Sequence, residues 1–151
     1  MKIHILSAEK AREHIPLKRT YAIRIYSGNN KGEGIYGNLV ESDNYVHIRE
    51  YFFDDTEEEQ GEPEEGTGED EYPITRRIAR EILANFRDNR NSIEELMIHC
   101  REGKRRSRSV AIALNNIFNL GEDSAEIRRG NPTINELVYR TMMEVSADFK
   151  K

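Results

Sequence analysis

The residues best placed to do chemistry lie in one window, His99-Cys100-Arg101-Glu102-Gly103-Lys104-Arg105-Arg106-Ser107. Cys100 is the only cysteine in the chain. It follows Leu96-Met97-Ile98, an apolar run predicted as a buried strand, and precedes Ser109-Val110-Ala111-Ile112-Ala113-Leu114, predicted as the start of a helix. The thiol therefore ends a strand, in a tight loop that feeds a helix N-terminus. Backbone N–H groups in such a loop converge on an anion, and the helix dipole adds positive potential. The same field favours thiolate over thiol. Arg106 stands six residues after Cys100, and its guanidinium fork can hold two oxygens of one phosphate. Nucleophile, anion cradle and bidentate clamp together describe attack of sulfur on a phosphate. The bland alternative is an inert buried cysteine beside a basic helix start.

The window resembles the hallmark of the protein tyrosine phosphatase superfamily, His-Cys-x5-Arg-Ser/Thr with a glycine three residues after the cysteine. His99, Cys100, Gly103, Arg106 and Ser107 all match. Cys100-Arg101-Glu102-Gly103 is similar to the loop of some dual-specificity phosphatases. The motif is a hypothesis that its strand–loop–helix context supports. On this resemblance Cys100 is the nucleophile of a cysteinyl-phosphate intermediate. Arg106 clamps the phosphoryl oxygens, with the backbone N–H groups of Arg101, Glu102, Gly103, Lys104, Arg105 and Arg106 completing the cradle. Ser107 donates to the sulfur as it leaves, or simply caps the helix, or does both. His99 orients the loop by hydrogen bonding.

The leaving oxygen also needs a proton. The family places that acid on a loop upstream of the cysteine, after a strand, and Phe52-Phe53-Asp54-Asp55 stands there. The Phe-x-Asp pattern of related bacterial sequences favours Asp55, with Asp54 as the alternative. The family's Trp-Pro-Asp form is absent, since the chain has no tryptophan. The resemblance calls for no metal and no cofactor.

Strands are expected over Lys2–Leu6, Thr20–Tyr26 and Tyr45–Phe53, besides the one that ends at the thiol. Ser7 is expected to cap a short helix over Ala8–His14 that Pro16 closes. Ile74, Ile78, Ile82 and Phe86 recur every four residues, predicting an amphipathic helix over 74–90 with Pro73 in its first turn and Arg76, Arg77, Arg80 and Arg87 on a solvated face. Val110, Leu114, Ile117 and Phe118 stripe the helix after the loop, which Gly121 can end. Asn131-Pro132 is expected to introduce the last helix, with Ile134, Leu137, Val138, Thr141, Met142, Val145 and Phe149 on one face. Gly28, Gly32, Gly34 and Gly37 punctuate a plain loop whose spacing matches no nucleotide fingerprint.

Alternating strands and helices predict one α/β domain over residues 1–151, with a mainly parallel sheet of four or five strands flanked by helices. The reactive loop then lies at the carboxyl edge of the sheet, where open α/β folds bind ligands. The phosphatase resemblance implies the same architecture, clearly from about residue 45 onward.

Hydrophobic residues make up 36% of the chain and charged residues 34%, enough for a lean core. A lone cysteine excludes an internal disulfide and suits a reducing compartment, so a cytoplasmic location is expected. No stretch is apolar enough to span a membrane. The net charge of −5 conceals an asymmetry. Residues 54–71 hold 11 acidic residues and no basic ones, leaving 17 acidic against 23 basic in the rest, a net +6. The acidic segment, about 54–72, is expected to be a mobile surface loop, and the basic body suits an anionic substrate.

The expected activity is metal-free hydrolysis of phosphorylated protein, with tyrosine or dual specificity. Arg101 and Lys104 also resemble loops of phosphoinositide phosphatases, so the second reading is a phosphoinositide, inositol phosphate or RNA 5′-phosphate substrate. Nucleic acid is otherwise not the expected partner, and the oligomeric state is unread. A third reading is a module that binds phosphorylated partners without turnover, which Asp54 and Asp55 oppose. A rhodanese-like sulfur transferase fits the loop less well, and an arsenate reductase would call for more cysteines.

Overall fold

A computed structural model describes residues 1–27, 36–57, 72–131 and 133–149. Four strands form one sheet: β1 (Lys2–Ser7), β2 (Thr20–Tyr26), β3 (Tyr45–Phe52) and β4 (Glu95–Cys100). Their spatial order is β1-β4-β2-β3 and every pairing is parallel. The fold class is therefore α/β with a parallel sheet, as the alternation predicts.

In a parallel sheet all carboxyl ends share one edge. Ser7 pairs with Cys100 and Tyr26 with Phe52, so the strand ends that carry the site stand side by side. The middle strands are buried on both faces, and all seven residues of β2 are buried, as a near-continuous apolar run requires.

Period-two alternation sorts the two faces. Tyr21, Ile23 and Ile25 of β2 and Leu96, Ile98 and Cys100 of β4 join the main core. That core is closed by α2 (Arg76–Asn89), α3 (Arg106–Phe118) and α5 (Glu136–Ser146). Ala22 and Met97 face the other way and pack on Ala11 of α1 (Ala8–Glu13). The same parity sends Cys100 and His99 to opposite faces of β4. Ser7 caps α1 by accepting the Lys10 N–H at 3.1 Å.

Several boundaries differ from the sequence reading. Pro73 lies ahead of α2, because Thr75 is the cap and accepts the Ile78 N–H at 3.1 Å. The helix starts at Arg76, though Ile74 is buried as its stripe requires. Arg76, Arg77, Arg80 and Arg87 are exposed, as expected. α3 begins at Arg106, three residues ahead of Ser109, so Ser107 lies inside the helix and does not cap it. Asn119, in the left-handed conformation at φ 54°, ends α3 in place of Gly121.

A further helix, α4 (Ser124–Gly130), was not anticipated; it has no buried residue and hence no apolar stripe. Asn131 ends α4, and Asn135 rather than Asn131-Pro132 opens α5. Pro132, Gly28, Gly32, Gly34 and residues 58–71 of the acidic segment lie outside the described residues. Among the described residues no helix is long and apolar enough to cross a membrane.

Candidate active site

Cys100 ends β4 and α3 begins six residues later, so residues 101–105 turn tightly over the sheet edge. The turn depends on Gly103, whose φ is +72°. A Cβ there would stand 2.6 Å from backbone atoms of Leu6 and Ser7, so no side chain fits. The Ala8 N–H donates to the Arg101 carbonyl at 3.1 Å, pinning the turn to the start of α1.

The turn directs donors at sulfur. The Gly103 N–H points to Cys100 Sγ at 3.2 Å, and Ser107 Oγ lies 3.2 Å from the same atom. Ser107 is fully buried. An amide N–H and a hydroxyl thus both face the sulfur, close to the N-terminus of α3.

Arg106 is buried, and its NH1 donates to the carbonyls of Phe53 at 2.9 Å and Tyr26 at 3.5 Å. Tyr26 ends β2 and Phe53 directly follows β3, so the guanidinium is braced by the sheet edge. Its Nε and NH2 have no partner among the described residues, which leaves one edge of the fork for an anion.

Cys100 and Arg106 line a cavity of about 170 Å³ together with Asp55, Arg101, Glu102, Lys104 and Arg105. A volume well below the ~300–1,000 Å³ of drug-sized sites suits a small anionic group. A wider depression of about 480 Å³ lies between α3 and α4, lined by Asn115, Asn116, Glu122 and Asp123 among others. Its lining has no cysteine and no cationic side chain, so size alone does not mark the reactive site.

The two candidate acids separate clearly. Asp55 lines the cavity; its Oδ1 accepts from Asn135 Nδ2 at 2.7 Å and its Oδ2 from Arg105 NH1 at 3.3 Å. Asp54 instead joins the two ends of the acidic segment. Its Oδ2 accepts the Tyr72 N–H at 2.7 Å, and its own N–H donates to the Tyr72 carbonyl at 2.6 Å.

The basic residues also separate. Arg105 pairs with Asp55 and Glu57 and donates to the carbonyls of Thr133 and Ile134. Arg108 donates to the carbonyls of Lys104, Ile127 and Gly103. Burial lowers its pKa from the usual guanidinium range, while the charge of Cys100 acts in the opposite direction. Arg101 and Lys104 are exposed, line the cavity, and have no carboxylate partner among the described residues.

His99 is fully buried on the α1 face. Arg24 Nε donates to its Nε2 at 2.9 Å, which fixes the proton on Nδ1, 3.3 Å from the Cys100 carbonyl. Burial first, then the Arg24 charge, lowers the His99 pKa to about 4. The ring is therefore neutral at neutral pH and holds the loop rather than moving protons.

Three residues in this assembly carry little or no signal in the sequence. Arg24 links His99 to the carbonyls of Tyr36 at 3.1 Å and Gly37 at 2.7 Å. A charged residue inside an apolar strand is its one sequence signal, since arginine is rarely buried without partners. Ser109 and Asn135 join α3 to α5, and only long-range contacts reveal them.

No protein-family description matches the sequence, and no curated protein does. Among solved structures, the chain is similar to the crystal structure of Tk-PTP in the active form, at 16% sequence identity and a TM-score of 0.47. The alignment covers 99% of this chain and 92% of that one.

Proposed function

We propose that the protein is a cysteine-dependent phosphoric monoester hydrolase whose substrate is a phosphorylated protein, with tyrosine or dual specificity. The observation that carries this reading is the placing of Cys100, Arg106 and Asp55 on one small cavity, with Gly103 N–H and Ser107 Oγ both 3.2 Å from the sulfur.

In the first step Cys100 Sγ attacks phosphorus. The S–P bond forms, the bond to the leaving oxygen breaks, and Asp55 gives that oxygen its proton. The negative charge of the transferring group falls on Arg106 and the loop amides. In the second step a water oxygen attacks the same phosphorus and Asp55 takes the water's proton. The S–P bond then breaks, its electrons return to sulfur, and the Ser107 hydroxyl donates to the departing thiolate.

Arg101 and Lys104 favour a second reading. Two exposed cations without carboxylate partners at the cavity mouth suit a substrate with further phosphates, such as an inositol phosphate.

The test is turnover of an aryl phosphate, phosphotyrosine and phosphoserine peptides, and inositol phosphates, all in the presence of chelator. The expected result is aryl phosphate and phosphotyrosine hydrolysis that Cys100→Ser abolishes. Preference for inositol phosphates would select the second reading. Turnover that survives Cys100→Ser would reject both.

A further inference from the structure

We propose that Asn135 is a positioning residue for proton transfer by Asp55, an inference that rests on the phosphatase reading. Asn135 is fully buried at the N-cap of α5, and both ends of its amide are committed. Its Oδ1 accepts the Val138 N–H at 3.1 Å. Its Nδ2 donates to Asp55 Oδ1 at 2.7 Å and to the Thr56 carbonyl at 3.2 Å.

The cap removes the usual ambiguity of an amide's orientation. A flipped amide would turn NH2 toward the Val138 N–H and an oxygen toward the Asp55 carboxylate, so three contacts would be lost at once. The donor must therefore face Asp55.

Asn135 is itself held from α3. Its backbone N–H donates to Ser109 Oγ at 2.8 Å, and that hydroxyl lies within hydrogen-bonding reach of the carbonyls of Arg105 at 2.7 Å and Asn135 at 2.9 Å. The Arg105 side chain returns to Asp55 Oδ2 at 3.3 Å. A closed circuit thus runs from the end of the phosphate loop through Ser109, Asn135 and Asp55 back to Arg105. It fixes the carboxyl group relative to the loop that carries Cys100, across 80 residues of sequence.

Both oxygens of Asp55 accept in this circuit, Oδ1 from Asn135 Nδ2 at 2.7 Å and Oδ2 from Arg105 NH1 at 3.3 Å. The longer contact comes from a side chain that is only half-buried and is the one that yields, so Oδ2 is the oxygen freed for proton transfer while Asn135 keeps its hold on Oδ1. Positioning of this kind matters most when the leaving group cannot depart without a proton.

The test compares Asn135→Ser and Asn135→Asp with the parent on two aryl phosphates, one with an acidic phenol and one with unsubstituted phenol. Serine and aspartate both preserve the cap acceptor, so α5 keeps its N-terminus, but neither presents the amide donor to Asp55. The expected result is a loss of kcat about ten- to a hundredfold greater on phenyl phosphate than on the activated ester, part of the ~10²–10⁴ typical of a general acid. KM should hardly move. In an Asp55→Asn background, Asn135→Ser should add almost nothing, because residues that act as one unit are not additive.

Equal losses on both esters, or a full further loss in the Asp55→Asn background, would show a merely structural role and overturn the proposal. Unchanged kinetics on both esters would do the same. Absence of turnover in the parent on either ester would instead overturn the phosphatase reading beneath it.

Discussion

Asp54 and Asp55 are neighbours in sequence but have different partners. Asp55 belongs to the cavity and Asp54 to the base of the acidic segment. Asp55→Asn should therefore lower kcat on phenyl phosphate by about 10²–10⁴, and less on an ester whose phenol leaves unprotonated. Asp54→Asn should be much milder, since an amide oxygen can still accept the Tyr72 N–H. Steady-state kinetics on the two esters checks the ranking, and the reverse order would move the acid to Asp54. The sequence offered no means of choosing by contact, because the partners lie far along the chain: Tyr72 for one, Asn135 and Arg105 for the other. His99, Cys100, Gly103, Arg106 and Ser107 were legible for the opposite reason. They stand together in one short window whose spacing is readable in itself, and Gly103 announces the tight turn by its type alone, although the groups that brace Arg106 and His99 lie far along the chain.

The elements were legible where a periodic apolar stripe or a local cap defines them. All four strands and α1 fall close to where alternation and Ser7 place them. α4 carries no apolar signal because none of its seven residues is buried, and Asn131-Pro132 offers a turn signal as strong as the true cap of α5, Asn135. Contacts between elements carried no such signal, and the Arg24–His99 bond between adjacent strands β2 and β4 is the clearest case. Its consequence is a pH dependence of stability. His99 has a folded pKa of about 4 against 6.5 for an ordinary histidine. Between these values the unfolded chain binds more protons than the folded one, so lowering the pH favours unfolding. The contribution is complete above about pH 6.5 and is lost as pH falls toward 4, a total of about 3 kcal/mol for a buried ring. Denaturant unfolding across that range checks it: His99→Gln should lower stability at neutral pH and flatten the slope. A variant slope equal to the parent's would contradict the assignment of a neutral, buried His99.

At the scale of the molecule, parallel pairing is what makes the site. It brings the ends of β1, β2, β3 and β4 to one edge, where the carbonyls of Tyr26 and Phe53 brace Arg106 and the β1–α1 junction supports Gly103. The α/β pattern foretold that edge, but not how α5 reaches back to it through Asn135. The charge asymmetry reaches the same edge, where Glu57 pairs with Arg105 while Arg101 and Lys104 stay exposed at the cavity. The central claim is that sulfur is phosphorylated during turnover. Its most direct test is acid quenching of the protein during aryl phosphate hydrolysis, followed by mass spectrometry of the peptide that contains Cys100. The account predicts one phosphoryl group on Cys100, formed in the burst phase and, on an ester whose phenol leaves unprotonated, trapped in larger amount in Asp55→Asn, where no carboxylate activates the attacking water. Rapid turnover with Cys100 unmodified throughout, or a phosphoryl group on any other residue, would contradict it.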